Sequence, residues 1–386
     1  MSAAGRDLLP ALTGLRFLAA LHVVAHHLRS TKLLDFSPWP VVDRFVERGG
    51  TAVGLFFVLS GFILAYTYGR RDADDRTNAW SFYRARFARI YPVYLFALVV
   101  TAPFFLGQMH QAGFGLDSPV TWYYAALALG LLQAWVPEAV LLWNPPGWSL
   151  SAEAFFYLTF PALLTMLRGR SRTTLVVVAA LAWLTALAPT AAALYATEAV
   201  RQLAGRSDGW IVAVLKYDPL LRWPEFVFGA ALGLLYLRRP KIAAMPPTRR
   251  DGAAADLASL SVVAALALLP TSPTRWCPNV ELFIHNGLLA PLFGLLIWRL
   301  ARGGGLCSRG LSTAPLLLLG EASSALYLLH TPAIMYLRTI GLELRSPPWP
   351  TTWIAAAATA ASIVFSVVVY TRLEIPARRR LRGAQL

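Results

Sequence analysis

Residues 8–28 read LLPALTGLRFLAALHVVAHHL, an apolar run of helix length with Arg16 near its middle and the pair His26–His27 at its end. At that depth in a bilayer a charge costs several kcal/mol unless it has a partner or a water-filled site. Ten residues separate Arg16 from His27, about three helical turns. The two side chains therefore share one helix face, with about 16 Å between them along the axis. So unfavourable a placement predicts a working site inside a membrane protein rather than a simple anchor.

The rest of the chain agrees with an embedded protein. Of 386 residues 57% are hydrophobic and only 14% charged, and the mean hydropathy is positive. That is too little charge, in too many long apolar runs, for a soluble domain of this size. A net charge of +15 would suit a nucleic-acid binder. Here the 35 basic residues, only three of them lysine (Lys32, Lys216, Lys241), cluster between apolar runs and after the last one, as membrane-loop charges do. No nucleic-acid partner is expected; the expected partner is the lipid bilayer. The first run has no strongly basic leader and no small-residue cleavage pattern, so it reads as a retained span and not a signal peptide.

Eleven apolar stretches of roughly spanning length fall near 8–28, 50–68, 90–107, 120–136, 148–167, 174–195, 219–237, 253–270, 280–300, 314–337 and 351–371. The arginine-rich connections are 69–89, 168–173, 238–250, 299–309 and 372–386, whereas 108–119 and 137–147 carry no Lys or Arg. Eleven crossings cannot put all the basic connections on one side. The positive-inside rule is met if either 120–136 or 148–167 does not cross. The two flank WNPPGWSLS (143–151), a Pro/Gly/Trp-rich stretch suited to a re-entrant turn. The expectation is an all-α, polytopic membrane bundle of about ten crossings plus one re-entrant or interfacial segment, with both termini cytoplasmic. Residues 1–373 would form the transmembrane domain and 374–386 a basic tail on the cytoplasmic surface. Cys277 would lie outside and Cys307 inside, so they would not pair.

Several segments together carry a resemblance. They are Arg16…His27 within LTGLRFLAALHVVAHH, GLFFVLSGFILAY (54–66), FYRARFARIYPVY (82–94), WSLSAEAFFYLTFP (148–161), ASSALYLLHTP (322–332) and LEIPARRRLR (373–382). In this order, over almost the full length, the chain resembles the acyltransferase-3 family of membrane-bound bacterial O-acyltransferases. The resemblance implies a bacterial cell membrane and transfer of an acyl group, most often acetyl, from acyl-CoA as co-substrate to a hydroxyl of a sugar, glycan or glycosylated small molecule. LTGLR, with Thr13 where many members carry Asp, resembles stand-alone actinobacterial members that include macrolide acylating enzymes. Ala154 also departs from the family, which usually has a second acid after Glu153.

His27 aligns with the family's catalytic position, and an acceptor hydroxyl needs a base that is neutral near pH 7. His26 points about 100° away, and His22 is similarly off-face, so both read as interfacial residues. Their i,i+4 spacing would suit a metal, but no further histidine cluster supports one, and no metal is expected. Arg16 is expected to stabilise the oxyanion or hold the acyl donor, or else to pair with Glu153 or Glu321. Arg84, Arg86 and Arg89 are expected to bind the donor's phosphates, as arginine forks do. Glu153 would orient His27, bind the acceptor or neutralise Arg16. Tyr327 and His330 match another family motif and would bind the acceptor, with His330 lining its cavity or else simply a buried, hydrogen-bonded histidine. Ser60 reads as a packing residue beside Gly61. The competing reading is a transporter or flippase, which would show an internal repeat; no second copy of the Arg16…His27 pattern is present.

Overall fold

The computed structural model describes residues 9–70, 79–195, 208–239, 246–269, 280–343 and 351–382, and the described residues contain no strand. Cys277 lies outside the described residues. Nine helical stretches among them are long and apolar enough to cross a membrane. A further helix, Ser323–Glu343, also has spanning length at 21 residues, but it is interrupted by His330 and Arg338.

The run too short to span as a helix is 120–136. It forms a short helix, Pro119–Leu129, of 11 residues, followed by a single 3-10 turn. Such a helix rises about 16 Å, roughly half of a hydrocarbon core. The competing run instead forms a full 21-residue helix, Gly147–Leu167. The remaining helices are α1 (Pro10–Ser30), α2 (Pro40–Glu47), α3 (Ala52–Gly69) and α4 (Ala79–Gln111) before these two, which become α5 and α6. After them come α7 (Arg172–Tyr195), α8 (Asp208–Tyr217), α9 (Pro219–Leu237), α10 (Arg249–Leu268), α11 (Val280–Phe283) and α12 (Ala290–Arg302). The chain closes with α13 (Gly305–Leu311), α14 (Ala314–Glu321), α15 (Ser323–Glu343), α16 (Thr351–Val369) and α17 (Ile375–Arg382).

Local chemistry fixes several helix starts. Asp218 caps α9 by accepting from the Leu220 and Leu221 N–H groups at 2.8 and 3.3 Å, with Pro219 at the first helical position. Thr248 and Asp251 form a reciprocal capping box at α10.

Small residues set the closest crossings, as expected where lipid removes the hydrophobic drive between helices. A Cβ at Gly61 of α3 would overlap the Phe226 carbonyl of α9, and one at Gly229 would overlap that of Val58. Gly61 thus does the packing that was expected of Ser60.

Two runs expected as single spans are broken. The stretch 280–300 unwinds at Asn286 and Gly287, where Gly287 has φ 97°, and 314–337 is divided at Ala322 between α14 and α15. Residues 374–382 are not detached from the bundle. Glu374 is buried and paired with Arg378 at 2.9 Å, and α17 packs on α4, where Arg84 donates to the Leu381 carbonyl at 2.8 Å.

The arginine-bearing ends of α7, α9, α10 and α12 meet at one end of the bundle, where Arg172, Arg239, Arg299 and Arg302 surround a common opening.

Candidate functional site

Two cavities lie one behind the other along α1. The first, of about 130 Å³, brings together Arg16 of α1, Ser60 of α3, Arg86 and Arg89 of α4, Glu153 of α6 and Ser324 of α15. The second, of about 200 Å³, is lined by His26 and His27 at the far end of α1, with Trp148, Tyr217, Lys216 and His285. Val53 and Tyr327 line both. The shared face of Arg16 and His27 therefore serves two compartments, with Tyr327 between them.

In the first cavity the arginines do not behave alike. Arg86 and Arg89 are three residues apart and face inward together, as i,i+3 positions do. Arg84 sits two positions earlier, about 200° around the helix, and is exposed on the opposite side, bound to Leu381. It is not part of the cavity, which corrects its expected grouping with the other two. Arg86 is set over the rings of Phe82 and Tyr157, 5.8 and 5.9 Å from their centroids. Its Nε is buried with no hydrogen-bond partner among the described residues, so the pocket holds unmet donor capacity.

Arg16 donates to Ser324 Oγ at 3.2 Å, and no carboxylate among the described residues pairs with it. The expected ion pair with Glu153 or Glu321 is absent among those residues. Glu321 instead faces Arg378 at 3.9 Å. Glu153 is held by Ser60, whose hydroxyl donates to Oε1 at 3.0 Å, and by a short hydrogen bond from the Tyr157 hydroxyl. It lies in the Arg16 cavity and not in that of His27, so it does not orient His27. Ser60 is a polar wall residue that its apolar sequence neighbours concealed.

The second cavity centres on His27. Its Nδ1 is 3.0 Å from the Val23 carbonyl and 3.2 Å from His330 Nε2. A carbonyl only accepts, so Nδ1 of His27 carries the proton. His330 Nε2 then faces an N–H and must be the unprotonated nitrogen, and its own Nδ1–H meets the Leu326 carbonyl at 3.3 Å. This tautomer assignment, drawn from the hydrogen-bond network, leaves the Nε2 lone pair of His27 available.

His330 is fully buried and lines neither cavity. Of its two readings, lining the acceptor cavity or a buried, hydrogen-bonded histidine, the second holds; it stands behind His27. Tyr327 does reach both cavities, and its hydroxyl is 3.0 Å from Ser149 Oγ.

His26, expected at an interface, also lines this cavity, edge-on to His27 with ring centroids 5.3 Å apart. His22 is tied elsewhere, with Nε2 2.6 Å from the Phe45 carbonyl.

Two further wall residues, Tyr217 and His285, escaped the sequence reading. Trp148, Tyr217 and His285 form an aromatic corner, with Trp148 and Tyr217 centroids 4.8 Å apart. His285 is placed by the break after α11. Unwinding there frees backbone carbonyls that the bundle re-satisfies: Arg222 donates to the His285 carbonyl at 2.6 Å and to Asn286 Oδ1 at 2.9 Å. Trp183 donates to the Gly287 carbonyl at 3.1 Å, and Asn286 donates to Thr190 Oγ1 at 2.8 Å. Arg222 and Glu225, both almost wholly buried, pair at 2.8 Å beneath this break. The signal for it was His285-Asn286-Gly287, a turn-forming sequence inside an apolar run. No group of three potential metal ligands occurs among the described residues.

Comparison with known proteins gives a consistent picture. The family model of the acyltransferase-3 domain matches residues 9–371. Acyltransferase MdmB of Streptomyces mycarofaciens is 30% identical over 97% of this chain and 92% of its own length. The exopolysaccharide production protein ExoZ of Rhizobium meliloti is 29% identical over 88% of this chain and 92% of its own. The peptidoglycan O-acetyltransferase OatA of Listeria monocytogenes is 24% identical over 97% of this chain, which spans 56% of that relative. No solved structure matches the chain.

Proposed function

Because this chain belongs to the acyltransferase-3 family, we propose that it transfers an acyl group, acetyl by preference, from acyl-CoA to a hydroxyl of a sugar or glycosylated acceptor. One observation carries the reading. A cavity rich in arginine and a cavity centred on histidine lie in line along α1 and meet at Tyr327.

Arg86 and Arg89 bind the phosphates of the acyl donor, for which a guanidinium fork has the right geometry. Arg16 holds the acyl arm from the same side. The arginine-rich end of the bundle faces the cytoplasm, in keeping with the positive-inside rule, and the acceptor enters the His27 cavity from the other side.

Trp148 and Tyr217 offer ring faces against which a sugar ring stacks. His27 Nε2 accepts the proton of the acceptor hydroxyl as its oxygen attacks the thioester carbonyl. The carbon–sulfur bond breaks, and His27 returns the proton to the departing thiolate. His330 acts through His27, holding its proton on Nδ1. The names of two relatives, a peptidoglycan O-acetyltransferase and an exopolysaccharide production protein, support a carbohydrate acceptor.

The test is acetyl transfer from labelled acetyl-CoA to a panel of sugars, glycans and macrolides in membranes holding wild type or His27→Ala. Label on an acceptor with wild type alone supports the reaction and the base. Equal transfer by both proteins removes His27 from the chemistry, and no transfer to any acceptor returns the chain to the transporter reading.

A further inference from the structure

A third opening lies at the arginine-rich end, between α7, α9, α10 and α12. It encloses about 210 Å³ and is lined by Arg172, Arg239, Arg299 and Arg302 with one carboxylate, Asp251. It shares no lining residue with either cavity described above.

Ordinary loop arginines point separately into water, whereas two of these, Arg239 and Arg302, are held. Arg239 lies flat over the Tyr236 ring, 4.0 Å from its centroid, and its Nη1 is buried with no hydrogen-bond partner among the described residues. Arg302 reaches Asp251 at 3.5 Å, and the same carboxylate oxygen also accepts from the Thr248 hydroxyl and N–H at 2.8 Å each. The lining holds four guanidinium groups and one carboxylate, which is already shared with a helix cap and reached by Arg302. The excess positive charge in a concave pocket calls for an anion. Planar donors of this kind match a tetrahedral oxyanion in two-pronged fashion. Trp298 in the wall adds the aromatic edge common at a membrane surface.

We propose that this pocket binds a phosphate group. Two sources carry that chemistry: the headgroup of an anionic phospholipid, seated between helix ends as basic interhelical pockets are, or a soluble phosphate compound. The assignment stands on the arginine geometry and does not depend on the acyl-transfer reading.

The experiment is native mass spectrometry of the purified full chain in neutral detergent. It is titrated in separate arms with dioleoylphosphatidylglycerol, inorganic phosphate and adenosine 3′,5′-bisphosphate. The proteins compared are wild type, Arg239→Gln combined with Arg299→Gln, Asp251→Asn, and Arg249→Gln, a nearby arginine outside the lining. The expected result is binding of at least one probe by wild type and Arg249→Gln, with affinity about tenfold or more weaker in the double variant, as loss of charge-assisted hydrogen bonds implies. Asp251→Asn, which keeps a capping side chain and removes the one carboxylate, should bind more tightly. Because it gains affinity, a folding defect in the double variant cannot mimic the whole pattern. Retention of the lipid identifies a headgroup site, and retention of a soluble probe alone identifies a free phosphate site. No probe held by wild type, or equal affinity across all four proteins, overturns the proposal.

Discussion

The two in-line cavities are built by different means. The charged residues of the arginine cavity and Ser60 sit within regular helices, with Arg16, Ser60, Arg86, Arg89 and Glu153 each projecting from an unbroken stretch, although Ser324 joins them from the first turn of α15. The histidine cavity is walled by ends and interruptions: the last turns of α1 and α8, the first turn of α6, and the break that places His285. A regular helix transmits register, so spacing in the sequence becomes position in space. A helix end or break aims its side chains through local turns and long-range hydrogen bonds, which spacing does not encode. The same difference separates the expected roles: phosphate capture needs a fixed fork, whereas acceptor recognition needs a shaped pocket.

The sharpest way to break this division is His27→Ala. Transfer should fall by about 10²- to 10⁴-fold, the range for removing a general base, with acyl-CoA affinity unchanged. A matching loss of acyl-CoA binding would show that the cavities are not separate.

Next in size is Arg222→Met. It strands Glu225 in the core and leaves the His285 carbonyl without its donor. Breaking one half of a buried pair should cost about 3–5 kcal/mol of stability, read as a lower midpoint of thermal unfolding. Arg222→Met with Glu225→Leu should recover most of that stability while leaving acceptor binding impaired, because the break would have lost its support.

A smaller effect is expected from Arg89→Gln. KM for acyl-CoA should rise about 10- to 100-fold, in keeping with about 1.5–3 kcal/mol for a charged hydrogen bond, and KM for the acceptor should stay put. Arg84→Gln, outside the cavity, should leave both constants unchanged. The smallest is Tyr327→Phe, which removes only the contact with Ser149 and should cost about 1 kcal/mol or less. Steady-state kinetics on both substrates checks each of these.

The sequence reading followed the same line. The all-α membrane bundle, and the need for one non-crossing segment, were legible because hydropathy and arginine placement report on the bilayer directly. Arg16 and His27 were legible because both lie in one helix with a fixed rise. Arg84 was misgrouped with Arg86 and Arg89 by proximity in the chain, although their helical angles already separated it. Glu153 stays open between His27, the acceptor and Arg16 in the sequence because nothing in its segment shows which cavity the residue faces; that depends on how α6 packs on α3. For His330 the sequence leaves a lining and a buried role open, because its partner is another histidine 303 positions away. His285 and Tyr217 were missed because each owes its place to an interruption.

The most direct test of the central claim, that acyl donor and acceptor meet from opposite sides at His27, is transfer in sealed proteoliposomes. Orientation is sorted by protease access to a tag on the arginine-rich C-terminal segment. Acetyl-CoA is supplied only on the tagged side and the identified acceptor only on the other. The account predicts acetylated acceptor on the side opposite the tag, and none with His27→Ala. Product formed only when both substrates share one side would contradict it.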